Sequence, residues 1–269
     1  MKIIVATHKD KIYAENNIIQ GIQVGASKAG YVIDQNYLLD DKGDNISSKN
    51  SNYNELTALY WMWKNLPNED VLGLIHYRRY LDFFVKSFFA KPKPTIAVDS
   101  NAKLIDMIRN GENKIEKRVQ KWLNSYDIIT PFELKIVGEH GRMSIRDHYY
   151  LCHKKEDWDV TMDIIRDKYP AYGITISDYL DKSHLLYYAN IFIAKREFVN
   201  NYCTWLFSIF DELEKQIVIS DDTYQRRVFG FLAERLFTLY IVHNKLKVKP
   251  LPVIMINEMF VNGPTGLNK

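Results

Sequence analysis

Val71-Leu72-Gly73-Leu74-Ile75-His76-Tyr77-Arg78-Arg79-Tyr80 runs from an unbroken apolar stretch straight into a polar, cationic cluster. The apolar part lacks the alternation of a strand with one wet face, so it reads as a strand covered on both sides of a largely parallel sheet. Gly73 permits close approach of another backbone or a ligand. In open α/β sheets ligands sit outside the carboxyl ends of the strands, which is where His76, Tyr77, Arg78 and Arg79 fall. Adjacent arginines there suit a phosphate, because each guanidinium is permanently charged and can donate paired hydrogen bonds. The competing reading gives both arginines structural carboxylate partners and makes His76 a satisfied core histidine.

Working outward, residues 2–7 read as the first strand, with Thr7, His8 and Lys9 in the loop at its carboxyl end as nucleotide contacts. Gln23 and Gly25 sit in a second short apolar segment. Residues 37–45 carry Asp40, Asp41 and Asp44, which could hold ribose hydroxyls or a metal, or form a solvated turn. Asn52 and Glu55 resemble a capping box that opens a helix closed off by Pro67, with Leu56, Leu59, Tyr60 and Trp63 facing the sheet. The amino end of that helix, with Asn45, Tyr53 and Asn54, is expected near the site, where free N–H groups attract anions.

Beyond Tyr80, residues 81–94 interleave aromatics with lysines. Exposed, this stretch would contact a membrane surface; buried, it packs on the core. Helices are expected over 115–124 and 157–169, with strands over 126–131 and 186–194, the last interrupted by Asn190, which needs partners if buried. Residues 138–148 read as a mobile polar loop with His148, and His148 and Asn190 are candidate acceptor contacts. A core helix follows over 198–213, and the last strong helix starts at Ser220-Asp221-Asp222.

Composition bounds the rest. The 269 residues are 46% apolar and 26% charged, those of an ordinary globular α/β domain, and no composition break marks a linker. One domain is expected, with residues 1–80 as its nucleotide-binding half and 81–269 as its acceptor half. A net charge of +3 without basic runs argues against nucleic acid as partner. Cys152 and Cys203 match no metal spacing, the chain shows no secretory leader, and a cytoplasmic protein with reduced thiols is expected. The aromatic excess fits stacking on sugar rings and an aromatic-rich core equally well.

The segments IIVATHK, IQVGA, DNISSKNSNYNELTALYWMWKN, VLGLIHYRRYLDF, NIFIAKREFVNNYCTWLF and QRRVFGFLAERLF together resemble a family of bacterial capsular and exopolysaccharide biosynthesis proteins, long described only as a domain of unknown function and grouped with GT-A-type glycosyltransferases. The resemblance implies a single Rossmann-related α/β domain that moves a sugar, galactose or galactofuranose in some relatives, from a nucleotide-sugar, UDP-linked by expectation, to a glycan or lipid-linked glycan acceptor at the inner face of the plasma membrane. Many GT-A enzymes hold Mn or Mg on an Asp-x-Asp motif where this chain has His76-Tyr77-Arg78-Arg79. Arginine charge can stabilise a departing diphosphate instead, so metal-independent transfer is favoured; the alternative pairs His76 with Asp44 or Asp82 on a metal. Asp221 and Asp222 resemble the acidic pair heading a helix in inverting relatives, which makes Asp222, then Asp221, the expected general base alongside His76 and Arg78 as catalytic groups. Glu55 and Glu234 are weaker candidates, because each also fits inside a helix. A non-catalytic nucleotide- or carbohydrate-binding component of a capsule assembly complex, and a nucleotide-sugar hydrolase, are the competing functions.

Overall fold

The structure is a computed structural model that describes residues 1–9, 12–85, 93–99 and 102–257. Its centre is a mixed, mostly parallel sheet of β1 (Lys2–Thr7), β2 (Ile19–Gln23), β3 (Leu38–Leu39), β4 (Val71–His76), β5 (Arg79–Leu81), β6 (Thr95–Val98), β7 (Ile128–Pro131), β8 (Phe192–Lys195), β9 (Val248–Leu251) and β10 (Val253–Ile256). The strands lie in the order β9-β7-β8-β4-β1-β2-β3, and β5, β10 and β6 extend the sheet from the end of β4. β1 pairs in parallel with both β2 and β4, whereas β8 runs antiparallel to β4 and β7.

The burial of β4 follows its sequence. Leu72 and Leu74 join one core with Ile4 and Ala6, while Ile75 joins the opposite core with Ile3 and Val5. A strand buried on both faces has no use for alternation, and none is present. Gly73 is required by proximity: a Cβ there would stand 2.7 Å from Ile193 Cγ1 and 3.1 Å from the Phe192 carbonyl oxygen. The first core is roofed by the helices Leu56–Asn65, Lys155–Lys168, Arg196–Gln216 and Val228–His243, the second by Lys103–Arg109 and Glu112–Leu123. Most of the aromatic excess is core: Tyr53, Tyr149, Trp158, Tyr202, Phe210, Phe229 and Phe237 are fully buried. Strands from both sides of residue 80 share the one sheet, so the two expected halves are interleaved.

Several local expectations are corrected. No single helix runs from Asn52 to Pro67: a short helix Asn50–Tyr53 ends, Asn54 breaks the chain at φ 52° and ψ −128°, and the Leu56–Asn65 helix begins with Glu55 at its N-cap. Residues 138–148 form no long loop, because Gly141–Arg142 pairs with Val137–Gly138 and the Ile145–Cys152 helix follows, capped by Ser144. The expected strand over 186–194 is divided by left-handed Ala189 and Asn190. Phe83 and Phe84 are buried in the core. The membrane reading of residues 81–94 otherwise concerns residues 86–92, which lie outside the described residues.

Candidate active site

The carboxyl end of β4 turns through Tyr77 and Arg78 into β5, pairing His76 with Arg79. This hairpin lines a cavity of about 340 Å³ together with Met255 and Ile256 of β10. Because β8 is antiparallel to β4 with Phe192 opposite Leu74, the residues preceding β8 are carried past His76. The Leu56–Asn65 helix feeds β4 and so starts at the same edge, bringing Glu55. The Val228–His243 helix adds Gly230 and Glu234, and a Cβ on Gly230 would stand 2.5 Å from Asn54 Nδ2.

These elements converge on one polar cluster. Asn190, only 2% exposed, donates from Nδ2 to Glu55 Oε1 at 2.6 Å and faces the Gly230 carbonyl at 3.5 Å. Both Nδ2 contacts are acceptors, which fixes the amide orientation and leaves the buried Oδ1 without a partner. Glu234 accepts the Ala189 N–H at 2.8 Å and the Arg235 guanidinium at 3.1 Å. Arg227, exposed at the rim, donates from Nε to Asn54 Oδ1 at 3.2 Å. Of the four non-glycine residues with positive φ among the described residues, three (Asn54, Ala189 and Asn190) belong to this cluster. Such strain persists only where the surroundings over-determine it, and it gathers at functional sites.

Electrostatics separate the roles. Burial, then the Arg79 and Arg227 charges, push His76 down to about 3, so the imidazole is neutral at pH 7. Arg79 Nη1 lies 3.5 Å from His76 Nδ1, and a guanidinium can only donate, which assigns the ring proton to Nε2. The Ala189 backbone hydrogen-bonds the ring and opposes the downward shift. Glu55 and Glu234 are half-buried, Glu234 with 25% of its side chain exposed. Burial raises both above the usual carboxylate range; the Asn190 hydrogen bond opposes it at Glu55, and at Glu234 Arg235 opposes it while the Glu55 charge adds to it. Two carboxyls raised by burial, beside arginines, form a group suited to moving a proton near a stabilised anion.

Residues 2–245 match the family described as "Domain of unknown function (DUF4422)". The chain belongs to that family. No curated protein matches it. Among solved structures, the apo form of WbbM, a bifunctional glycosyltransferase, superposes with a TM-score of 0.84 at 32% identity, covering 96% of this chain and 45% of WbbM. The chain thus spans less than half the length of that relative.

In this DUF4422 chain the expected site residues divide. His76, Tyr77, Arg78 and Arg79 line the cavity, with Arg78 exposed and its guanidinium 5.0 Å from the Tyr77 ring. His8, exposed beside Lys9, packs edge-on to Tyr77 at 5.4 Å. Thr7 is buried and exchanges hydrogen bonds with the Lys9 backbone. Gln23 is buried, and its amide serves the backbone of Tyr31 and Ile33. The Gly25 N–H is held by Asp40 at 2.8 Å. Asn45 closes its own turn onto the Asp41 and Gly43 carbonyls. Tyr53 is a core residue, stacked on Phe229 at 4.2 Å and hydrogen-bonded to Glu214.

Asp221 and Asp222 are exposed, and Asp222 caps the following turn by accepting the Tyr224 and Gln225 N–H groups, whereas the carboxyls that the Arg79 charge acts on are Glu55 and Glu234. His148 lies behind the cluster, with Nδ1 3.3 Å from Arg235 Nη2. Asp44 is engaged by Tyr60, and Asp82 by the Phe84 N–H. Among the described residues no three His, Cys, Asp or Glu side chains gather as metal ligands, and no helix is long and apolar enough to cross a membrane. Sequence reasoning passed over Arg227 and Arg235 and ranked Glu55 and Glu234 low, since only the break at Asn54 lifts Glu55 out of a helix interior.

Proposed function

We propose that this DUF4422 domain is a GT-A-type glycosyltransferase that moves a sugar from a nucleotide-sugar, UDP-linked, with galactose or galactofuranose as the leading donors, to a cell-surface glycan precursor. The observation that carries the reading is the Glu55–Asn190–His76–Arg79 cluster at the carboxyl edge of a sheet shared with a glycosyltransferase. The acceptor hydroxyl attacks the anomeric carbon as the bond to the diphosphate oxygen breaks. Glu55 takes the hydroxyl proton, its carboxyl being oriented by the Asn190 amide on Oε1. Arg79 and Arg227, whose charges act on Glu55, stabilise the departing diphosphate without requiring a metal. The acceptor is a glycan or lipid-linked glycan.

The test is nucleotide release from UDP-galactopyranose and UDP-galactofuranose with a glycan acceptor, in EDTA. Acceptor-dependent UDP release that Glu55→Gln lowers by about 10²–10⁴-fold supports the reading. Binding of a nucleotide with no turnover for any donor and acceptor would point to a non-catalytic component, and acceptor-independent release to a hydrolase.

A further inference from the structure

Behind Glu55 lies a second tier of charge. Ala189 and Asn190 have φ of 64° and 51°, a conformation that residues with a Cβ rarely adopt. Something must hold them there. The Ala189 N–H donates to Glu234 Oε1 at 2.8 Å, and Glu234 Oε2 accepts from Arg235 Nη1 at 3.1 Å, so both oxygens of this carboxylate are engaged. Arg235 is itself unusual, a guanidinium with only 3% of its side chain exposed. Its Nη1 also donates to the Phe231 carbonyl at 2.9 Å, its Nη2 reaches His148 Nδ1 at 3.3 Å, and its guanidinium sits 5.4 Å from the Tyr149 ring centre. Burying an arginine is costly unless its partner is fixed, so this cation is built to orient one carboxylate. Burial and the Arg235 charge keep His148 low, which leaves Nδ1 free to accept. On the far side of the turn, Asn190 holds Glu55 at 2.6 Å.

We infer that Glu234 and Arg235 form a positioning clamp: the carboxylate, oriented by the arginine, holds the left-handed Ala189-Asn190 turn, and the turn aims the Asn190 amide at Glu55. The inference rests on Glu55 as the reacting carboxylate. His148 belongs to the clamp as the support of Arg235 and not to the acceptor subsite.

The test uses the full chain with Glu234→Gln, Arg235→Met, Arg235→Lys and Ala189→Gly, read by amide hydrogen exchange at Ala189 and by UDP release. A glutamine at 234 loses one contact whichever way it turns, since its NH2 must face either the Ala189 N–H or the guanidinium. The amide oxygen stays with the charged Arg235 donor, the stronger of the two, which turns the NH2 onto the Ala189 N–H; Ala189 is then expected to exchange about tenfold faster or more, the loss of one hydrogen bond. In the same variant kcat falls with KM nearly constant, Arg235→Met matches it, and Arg235→Lys falls between. Ala189→Gly, which adopts the left-handed conformation without strain, restores kcat to Glu234→Gln. Unchanged exchange at Ala189 overturns the inference. So does a Glu234→Gln variant as inactive as Glu55→Gln and not rescued by the glycine, which would make Glu234 the reacting group. If Glu55→Gln keeps full turnover while the exchange result holds, the clamp stands and the proposed reaction fails.

Discussion

Asp40→Asn probes how the carboxyl edge is held together. Asp40 is fully buried, and each of its oxygens receives one backbone and one hydroxyl donor: Oδ2 takes the Gly25 N–H at 2.8 Å and Thr57 at 2.6 Å, Oδ1 takes the Ala26 N–H at 3.0 Å and Ser47 at 2.5 Å. One carboxylate thereby ties the turn after β2 to the first turn of the helix that Glu55 opens. An asparagine of the same shape must point its NH2 at one of these pairs. The hydroxyl can rotate to accept, but the backbone N–H cannot, so either orientation strands one buried donor. A stranded buried donor costs about 1–3 kcal/mol, and the remaining bonds lose charge assistance, for a total of about 2–3 kcal/mol. At roughly 2–4 °C per kcal/mol for a chain of this size, the melting temperature should fall by roughly 4–12 °C. Asp40→Ala, which strands both N–H groups, should fall further. Calorimetry or urea unfolding checks this, and an Asp40→Asn variant within a degree of the parent would refute the reasoning.

Other expectations concern the site. His76 is held near 3 when folded and titrates near about 6.5 when unfolded, so the unfolded chain binds more protons between those values. Stability from this group is present above the unfolded value and lost as pH falls; His76→Gln should therefore lose less stability than the parent between pH 6.5 and 4, and identical pH slopes would count against a neutral, buried His76. Gly230→Ala drives a Cβ to 2.5 Å from Asn54 Nδ2, so it should displace Asn54 from Arg227 and lower donor turnover more than it lowers the melting temperature. Arg196 donates to the carbonyls of Trp63, Leu66 and Glu69 around the end of the Leu56–Asn65 helix, and Arg196→Met should cost about 2–3 kcal/mol in urea unfolding, since charged donors bond these carbonyls. Unaltered stability there would show that solvent replaces them.

The strand at Val71–His76, its burial on both faces, the role of Gly73 and the place of the His-Tyr-Arg-Arg turn are all legible in the residues, because an unbroken apolar run and a glycine leave few alternatives. The long core helix Arg196–Gln216 announces itself by its periodicity in the same way. The carboxylates are harder to see. Glu55 fits a capping box, and nothing local reveals that Asn54 takes a positive-φ turn that only tertiary contacts with Arg227 and Gly230 make sense of. Glu234 sits within a helical pattern, and its importance depends on Ala189, remote in sequence and brought close by the antiparallel return of β8. Asp221-Asp222, by contrast, carries a strong local signal that the structure engages as a cap. Local signals mark caps and turns but not where the helix proper begins, which is Leu56 and not Asn52, and Val228 and not Ser220; which charged groups meet is decided by strand order, which a short motif does not encode.

The most direct test of the central claim is binding of UDP, GDP, CMP and dTDP to the parent chain and to Arg79→Met, followed by melting temperature with EDTA and with Mn. A ligand that binds only the folded chain raises its melting temperature. The account predicts that UDP raises it in EDTA and that Arg79→Met removes the shift without lowering the unliganded value by more than a few degrees. No shift with any nucleotide, or a UDP shift undiminished in Arg79→Met, would contradict a nucleotide-sugar site at the end of β4.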